Sequence, residues 1–442
     1  MILIAAVTLS LSFHGPAHRS DYVLPAIFFI CSILMLMIFL ANRAMKHRAR
    51  TELLLLSHVP KSKADKINIG ILIASVLSLI VSLVTAIEGH VPAAPPIANA
   101  TPRSGETPSS GHTPSSGLSR TSSGWTYATG KAVYSSPDVA SGTVYVGSSD
   151  DKVYALTAAT GHVRWSYTTG AGVNSSPAVA NGTVYVGSTD NNVYALNAAT
   201  GDIRWTYPTG TPVYSSPAVA DGVVYVASQD GSVYALDAAT GKVRWTRATG
   251  NGVYSTLAVA GATVYISSDD HDVYALDTAT GHVRWSYTTG AGIDSSPVVA
   301  NGTVYVGSDD DKEYAVSAAT GHVLWTHTTG GHVESSAAVV GGTVYFGSDD
   351  HDLYALDAVT GKVRWAFATG GEIESSPVVV GGTVYFGSDD HNVYALDAAT
   401  GHVRWTHPVG GDSYCRLAVV GGIVYISSTD NNVYALDAAT GS

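Results

Sequence analysis

Tryptophan recurs once every 40 residues, at Trp125, Trp165, Trp205, Trp245, Trp285, Trp325, Trp365 and Trp405, and nowhere else in the chain of 442 residues. One sentence runs between each pair, typified by the stretch V-Y-A-L-T-A-A-T-G-H-V-R-W from Val153 to Trp165. A period between about 20 and 50 residues marks a solenoid, a propeller or an array. Within a unit, S-S-P-A-V-A, T-V-Y-V-G-S, N-V-Y-A-L and V-R-W-S-Y-T are short β-branched and aromatic runs separated by Gly, Asn and Asp. That pattern predicts four strands per unit. Helical repeats of similar length need an apolar 3.6-residue period, and none is present. Four short strands in about 40 residues is the size of a propeller blade.

The turn between the second and third strands opens on aspartate in all eight units: Asp150, Asp190, Asp230, Asp270, Asp310, Asp350, Asp390 and Asp430. The next residue is Asp151, Asn191, Gly231, His271, Asp311, His351, His391 or Asn431. These are the types that tolerate a positive φ, as a tight hairpin turn requires. The turn aspartates and histidines therefore read as turn chemistry. Each lies on its own blade, which argues against a shared metal.

Ala235 to Trp245, A-L-D-A-A-T-G-K-V-R-W, matches the eleven-residue motif A-x-D-x-x-T-G-K-x-x-W. On that motif the chain resembles the pyrroloquinoline-quinone-type (PQQ-like) β-propeller repeat proteins, over residues 125–442. The resemblance implies that the tryptophan of each blade docks between neighbouring blades. The last unit stops at Ser442, before its tryptophan, while Trp125 opens the domain with no first three strands before it. The expected fold is therefore all-β: a single eight-bladed propeller whose last blade joins three C-terminal strands to one N-terminal strand.

Two apolar runs precede the propeller. Residues 22–40 and 67–87 each carry no charge and meet the roughly 20 residues needed to cross a bilayer. Between them, the loop 41–66 holds Arg43, Lys46, Arg48, Arg50, Lys61, Lys63 and Lys66 against only Glu52 and Asp65. The positive-inside rule puts that loop in the cytoplasm and the propeller on the extracytoplasmic side of a cell membrane. Residues 1–21 form an N-terminal segment with a partial hydrophobic stretch. Residues 88–124, rich in Pro, Ser, Thr and Gly, are a disordered tether by composition. Residues 125–442 carry 13 basic and 30 acidic side chains, so nucleic acid is a poor partner for the propeller.

Where eight units are nearly alike, function sits where they differ. The residue before the Ser-Ser-Pro of each first strand, or its variant, reads Tyr134, Asn174, Tyr214, Tyr254, Asp294, Glu334, Glu374 and Tyr414. The first strand of a blade is innermost, so these positions should ring one mouth of the central channel. Glu372 and Asp412 lie in the adjoining loops, with His332 and Arg416 in the same sector. This is a candidate ligand-binding mouth for a cation, a basic peptide or a polyhydroxylated molecule.

The resemblance implies two functional classes. Quinoprotein dehydrogenases of the family use PQQ and calcium to oxidise alcohols or sugars, with blade insertions and an adjacent Cys-Cys disulfide. This chain has neither insertion nor Cys-Cys, and no tryptophan outside the repeat position. The other branch consists of binding and scaffold propellers. The expectation is a membrane-anchored, extracytoplasmic, non-enzymatic module with no catalytic residue, metal or cofactor, taking a protein, peptide or small polar ligand. A PQQ- and calcium-dependent dehydrogenase is the alternative.

Overall fold

The computed structural model describes residues 124–442. The expected N-terminal segment 1–21, membrane spans 22–40 and 67–87, basic loop 41–66 and all but the last residue of the tether 88–124 lie outside the described residues. Among the described residues every regular element is a strand, and no helix is long and apolar enough to cross a membrane.

Blade one comprises Asp138–Ala140, Thr143–Ser148, Lys152–Thr157 and Val163–Thr168. Six more blades repeat it in chain order, and each is an antiparallel four-stranded sheet. The first strands of successive blades lie side by side around the axis. Second and third strands are almost wholly buried, Thr143–Ser148 along its full length. A neighbouring blade covers each face of the sheet, so these strands read as continuous apolar runs rather than alternating ones. The core therefore lies between blades. Tyr145, Val153 and Ala155 of blade one pack on Val184, Val186 and Leu196 of blade two.

Each tryptophan faces its cross-strand alanine, Trp165 opposite Ala155, with a register shift immediately after that alanine in seven blades. All eight indoles donate to a carbonyl of the next blade. Trp205 Nε1 reaches the Ala238 carbonyl at 3.0 Å, and Trp125 Nε1 reaches Ala158 at 2.9 Å. The ring lies on the glycine three residues beyond that carbonyl: a Cβ on Gly241, at φ 70°, would stand 2.7 Å from the Trp205 ring. The tyrosine of the preceding second strand donates to the same carbonyl, as Tyr185 does at 3.0 Å. One alanine carbonyl thus ties two strands of one blade to the next.

The turn chemistry holds. The second residue of all eight turns has a positive φ, between 63° and 77°. The aspartate before it does more than shape the turn. Asp150 accepts at Oδ2 from the Tyr154 hydroxyl (2.6 Å) and from the Gly130 amide (2.8 Å), fastening the loop between blades to the hairpin. Asp230 is the exception. It accepts from Ser228 and Ser232, while Tyr234 donates to the Thr209 carbonyl.

Blade eight comprises Ala418–Val420, Ile423–Ser427, Asn432–Asp437 and, as its outer strand, Trp125–Ala128. Trp125 stands opposite Ala435 and Ala128 opposite Asn432. Deleting Trp125–Gly130 should leave the third strand of blade eight as an open edge and Gly161 uncovered. The shortened chain should melt at lower temperature or associate through that edge, as differential scanning calorimetry and light scattering report. Unchanged melting of an unchanged monomer would refute this closure.

Candidate functional site at the channel mouth

The loop between blades delivers one residue per blade to the inner rim. In ring order, Tyr134, Asn174, Tyr214, Tyr254, Asp294, Glu334, Glu374 and Tyr414 follow one another from blade to blade. Two tyrosine pairs divide this ring. Tyr214 and Tyr254 have centroids 5.9 Å apart, and Tyr414 stacks on Tyr134 at 6.3 Å. The three carboxylates fill the arc between the pairs. Asn174 lies outside that arc, where its Oδ1 accepts from Ser149.

Four aspartates deepen the arc: Asp269, Asp309, Asp349 and Asp389. Each lies in the turn just after a second strand, one residue before the invariant turn aspartate, where the other blades carry Ser149, Thr189, Gln229 and Thr429. Sequence reasoning passed over this position because the invariant aspartate beside it drew attention to turn chemistry. The informative signal was the change from hydroxyl or amide to carboxylate on four consecutive blades. Asp309, His332 and Glu334 bring ligand atoms within 4.8 Å of one another, and Glu372, Glu374 and Asp389 do the same. Oδ1 of Asp309 and Oδ1 of Asp349 are buried without a hydrogen-bond partner. His332 stands 4.0 Å from Asp349 and from Asp311. Asp412 borders the arc beside Asp389, accepting from Tyr414 at 2.9 Å and lying 3.0 Å from His391 Nδ1.

Crowding of like charge in a concave site shows in the acidities. Loss of water around the group, then the charges of Asp309 and Asp269, raises Asp294 to about 6. Asp294 is exposed at its surface, yet the protein atoms around it displace enough water to penalise its charged form. Desolvation followed by Asp349 and Asp294 raises Glu334 to about 7. Desolvation followed by Glu334 and Asp389 raises Glu374 to about 8. Asp349 and Asp389 rise to about 6 by desolvation and by their carboxylate neighbours. All five folded values lie above those of the unfolded chain. Their contribution to stability is therefore fully present below the unfolded values and is lost as pH climbs through about 6 to 8. The melting temperature should fall between about pH 5 and pH 8, and less steeply in the variant D294N/E334Q/E374Q. Equal slopes in the two proteins would show that the arc carries no such repulsion.

The fold and the repeated motif define the class first: a PQQ-like β-propeller repeat protein. The family model described as "Outer membrane protein assembly factor BamB" matches residues 119–174, 168–255 and 230–442, and the chain belongs to that family. No curated protein sequence matches the chain. Among solved structures, BamB from Moraxella catarrhalis is 20% identical over 70% of this chain and 98% of its own, with a TM-score of 0.63. A computationally designed protein, Ika8, is 17% identical over 70% of this chain and 96% of its own, with a TM-score of 0.64. The quinohemoprotein alcohol dehydrogenase ADHIIG from Pseudomonas putida HK5 is 17% identical over 72% of this chain and 76% of its own, with a TM-score of 0.61. At these identities the likeness to each structure is one of fold.

Proposed function

We infer that this chain is a membrane-anchored, extracytoplasmic propeller that binds rather than catalyses, holding a cationic ligand or a basic segment of a partner protein at its channel mouth. The observation that carries this reading is the acidic arc. Eight carboxylates, Asp269, Asp294, Asp309, Glu334, Asp349, Glu372, Glu374 and Asp389, gather in one sector of a ring whose remaining rim positions are tyrosine and asparagine. Like charges held together against their own repulsion favour a bound cation, which relieves it. Membership of a family described as an outer membrane protein assembly factor supports a binding role and protein partners. The anchor rests on the two apolar runs and the basic loop between them.

The quinohemoprotein neighbour makes a quinoprotein dehydrogenase the second reading. The residues do not fit the quinone. All eight tryptophans give their indole N–H to the next blade and lay their rings on its glycines, which leaves none to stack on a quinone in the channel. The carboxylate groups around Asp309 and Asp389 do suit a hard cation such as calcium through oxygen ligands.

In the test, the melting temperature of the full-length chain is followed on addition of calcium or a basic peptide. A saturable rise is expected in the wild type and none in D294N/E334Q/E374Q. The variant should be at least as stable as the wild type without ligand. With quinone and calcium added, alcohol- or sugar-dependent dye reduction should be absent. Turnover that disappears in the triple variant would replace the binding reading with the enzymatic one.

A further inference from the structure

Two residues beyond each rim position, still in the loop that leads into the first strand, lies a second ring, at most about 7 Å from the first. It consists of serines, with Thr256 in blade four and Arg416 in blade eight. These residues are stitched from blade to blade through their backbones. Ser136 N donates to Ser176 Oγ (2.8 Å), Ser176 N to Ser216 Oγ (2.9 Å) and Arg416 N to Ser136 Oγ (3.1 Å). Thr256, Ser296 and Ser336 donate in the same way to Ser296, Ser336 and Ser376.

Each of the six serine hydroxyls therefore uses its oxygen to accept a backbone N–H and keeps its own O–H to donate. Among the described residues, none of these six donates to a protein acceptor. Arg416 is the layer's one cation. It is exposed, and among the described residues no carboxylate lies within ion-pair distance of it. The walls around it strip water from the guanidinium, which lowers its pKa. The layer below is alanine and valine except for Asp138, whose Oδ2 is already engaged by the Val179 amide at 2.9 Å. Free hydroxyl donors and an unpaired guanidinium in one layer form a seat for an oxyanion. The carboxylate arc stands two residues before Ser296, Ser336 and Ser376, and Arg416 follows Tyr414 on the adjoining blade.

We propose that the channel binds a small dipolar molecule, with an ammonium group among Asp294, Glu334 and Glu374 and a carboxylate on Arg416 and the serine hydroxyls beneath. The spacing of the layers suits a molecule of about the length of lysine. The upper half of this site rests on the binding role proposed above. The lower half rests on Arg416 and the serines alone.

Lysine and cadaverine separate the two halves, because cadaverine is lysine without its carboxylate. Their affinities for the full-length chain are measured by isothermal titration calorimetry in the wild type, in R416S and in D294N/E334Q/E374Q. R416S restores the residue type of the ring, and the bond from position 416 to Ser136 is made by the backbone, so the fold is kept. Lysine should bind the wild type roughly tenfold more tightly than cadaverine, as charge-assisted hydrogen bonds to one carboxylate supply. R416S should erase that advantage and leave cadaverine binding unchanged, whereas the triple variant should lose both ligands. Equal affinities in the wild type, or an advantage that survives R416S, would overturn the oxyanion seat while leaving the arc standing. Failure of both amines to bind the wild type would overturn the arc as well.

Discussion

Replacing Trp205 by alanine should destabilise the propeller by about 3–5 kcal/mol, the range for a buried large-to-small aromatic change. Trp205 is 8% exposed, donates to the Ala238 carbonyl, covers Gly241 and tilts against Tyr185 at 5.8 Å. Its loss opens a cavity between blades two and three and strips that carbonyl of one of its two donors. Trp205→Phe keeps most of the packing and loses only the N–H, so it should cost much less, about 1 kcal/mol for the hydrogen bond. Chemical denaturation of both variants provides the check. A loss under about 1 kcal/mol for the alanine variant would mean that the indoles do not hold neighbouring blades together.

Glu313→Val should do the opposite and stabilise the chain, by about 1–3 kcal/mol near neutral pH. Glu313 stands in the third strand of blade five, wholly buried, with neither carboxyl oxygen hydrogen-bonded. The same slot holds Val153, Val193, Val233, Val273, Leu353, Val393 and Val433, all with 0% exposure. Opposite it lie Gly307 and His327, and the Tyr305 hydroxyl is close enough to feel its charge. Burial pushes the carboxyl well above the usual range. The stability Glu313 permits is therefore present below the unfolded carboxylate value and is lost as pH rises toward the folded one. The gain from valine should accordingly be larger at about pH 8 than at about pH 5. A valine variant no more stable than the wild type at either pH would show that Glu313 has found a partner, such as an ordered water.

The fold was legible because the repeat states it eight times. Four strands, the hairpin turns and the three-plus-one closure follow from the spacing of Trp125 to Trp405 and from the truncated last unit. A 40-residue period leaves little freedom for any other arrangement of strands. The rim was legible in part, since Asp294, Glu334 and Glu374 differ from Tyr134 and its equivalents at one slot. What the sequence concealed is depth. Asp269, Asp309, Asp349 and Asp389 come from the turn after a different strand, and only the folded blade brings them beside the rim carboxylates. Glu313 was concealed in another way: it is one polar residue in a run otherwise made of valine and leucine, visible when the eight third strands are laid in register. The serines beside Arg416 look like repeat filler in the sequence, and only the blade-to-blade bonds show which hydroxyl protons stay free.

The proposed function has the channel mouth bind a cation and the lumen take no quinone. The most direct measurement is a crystal structure of the chain grown with both calcium and pyrroloquinoline quinone. The account predicts calcium density among Glu372, Glu374 and Asp389 or among Asp309, His332 and Glu334, with the quinone absent from the channel. Quinone density within the channel, stacked between protein side chains, would contradict it.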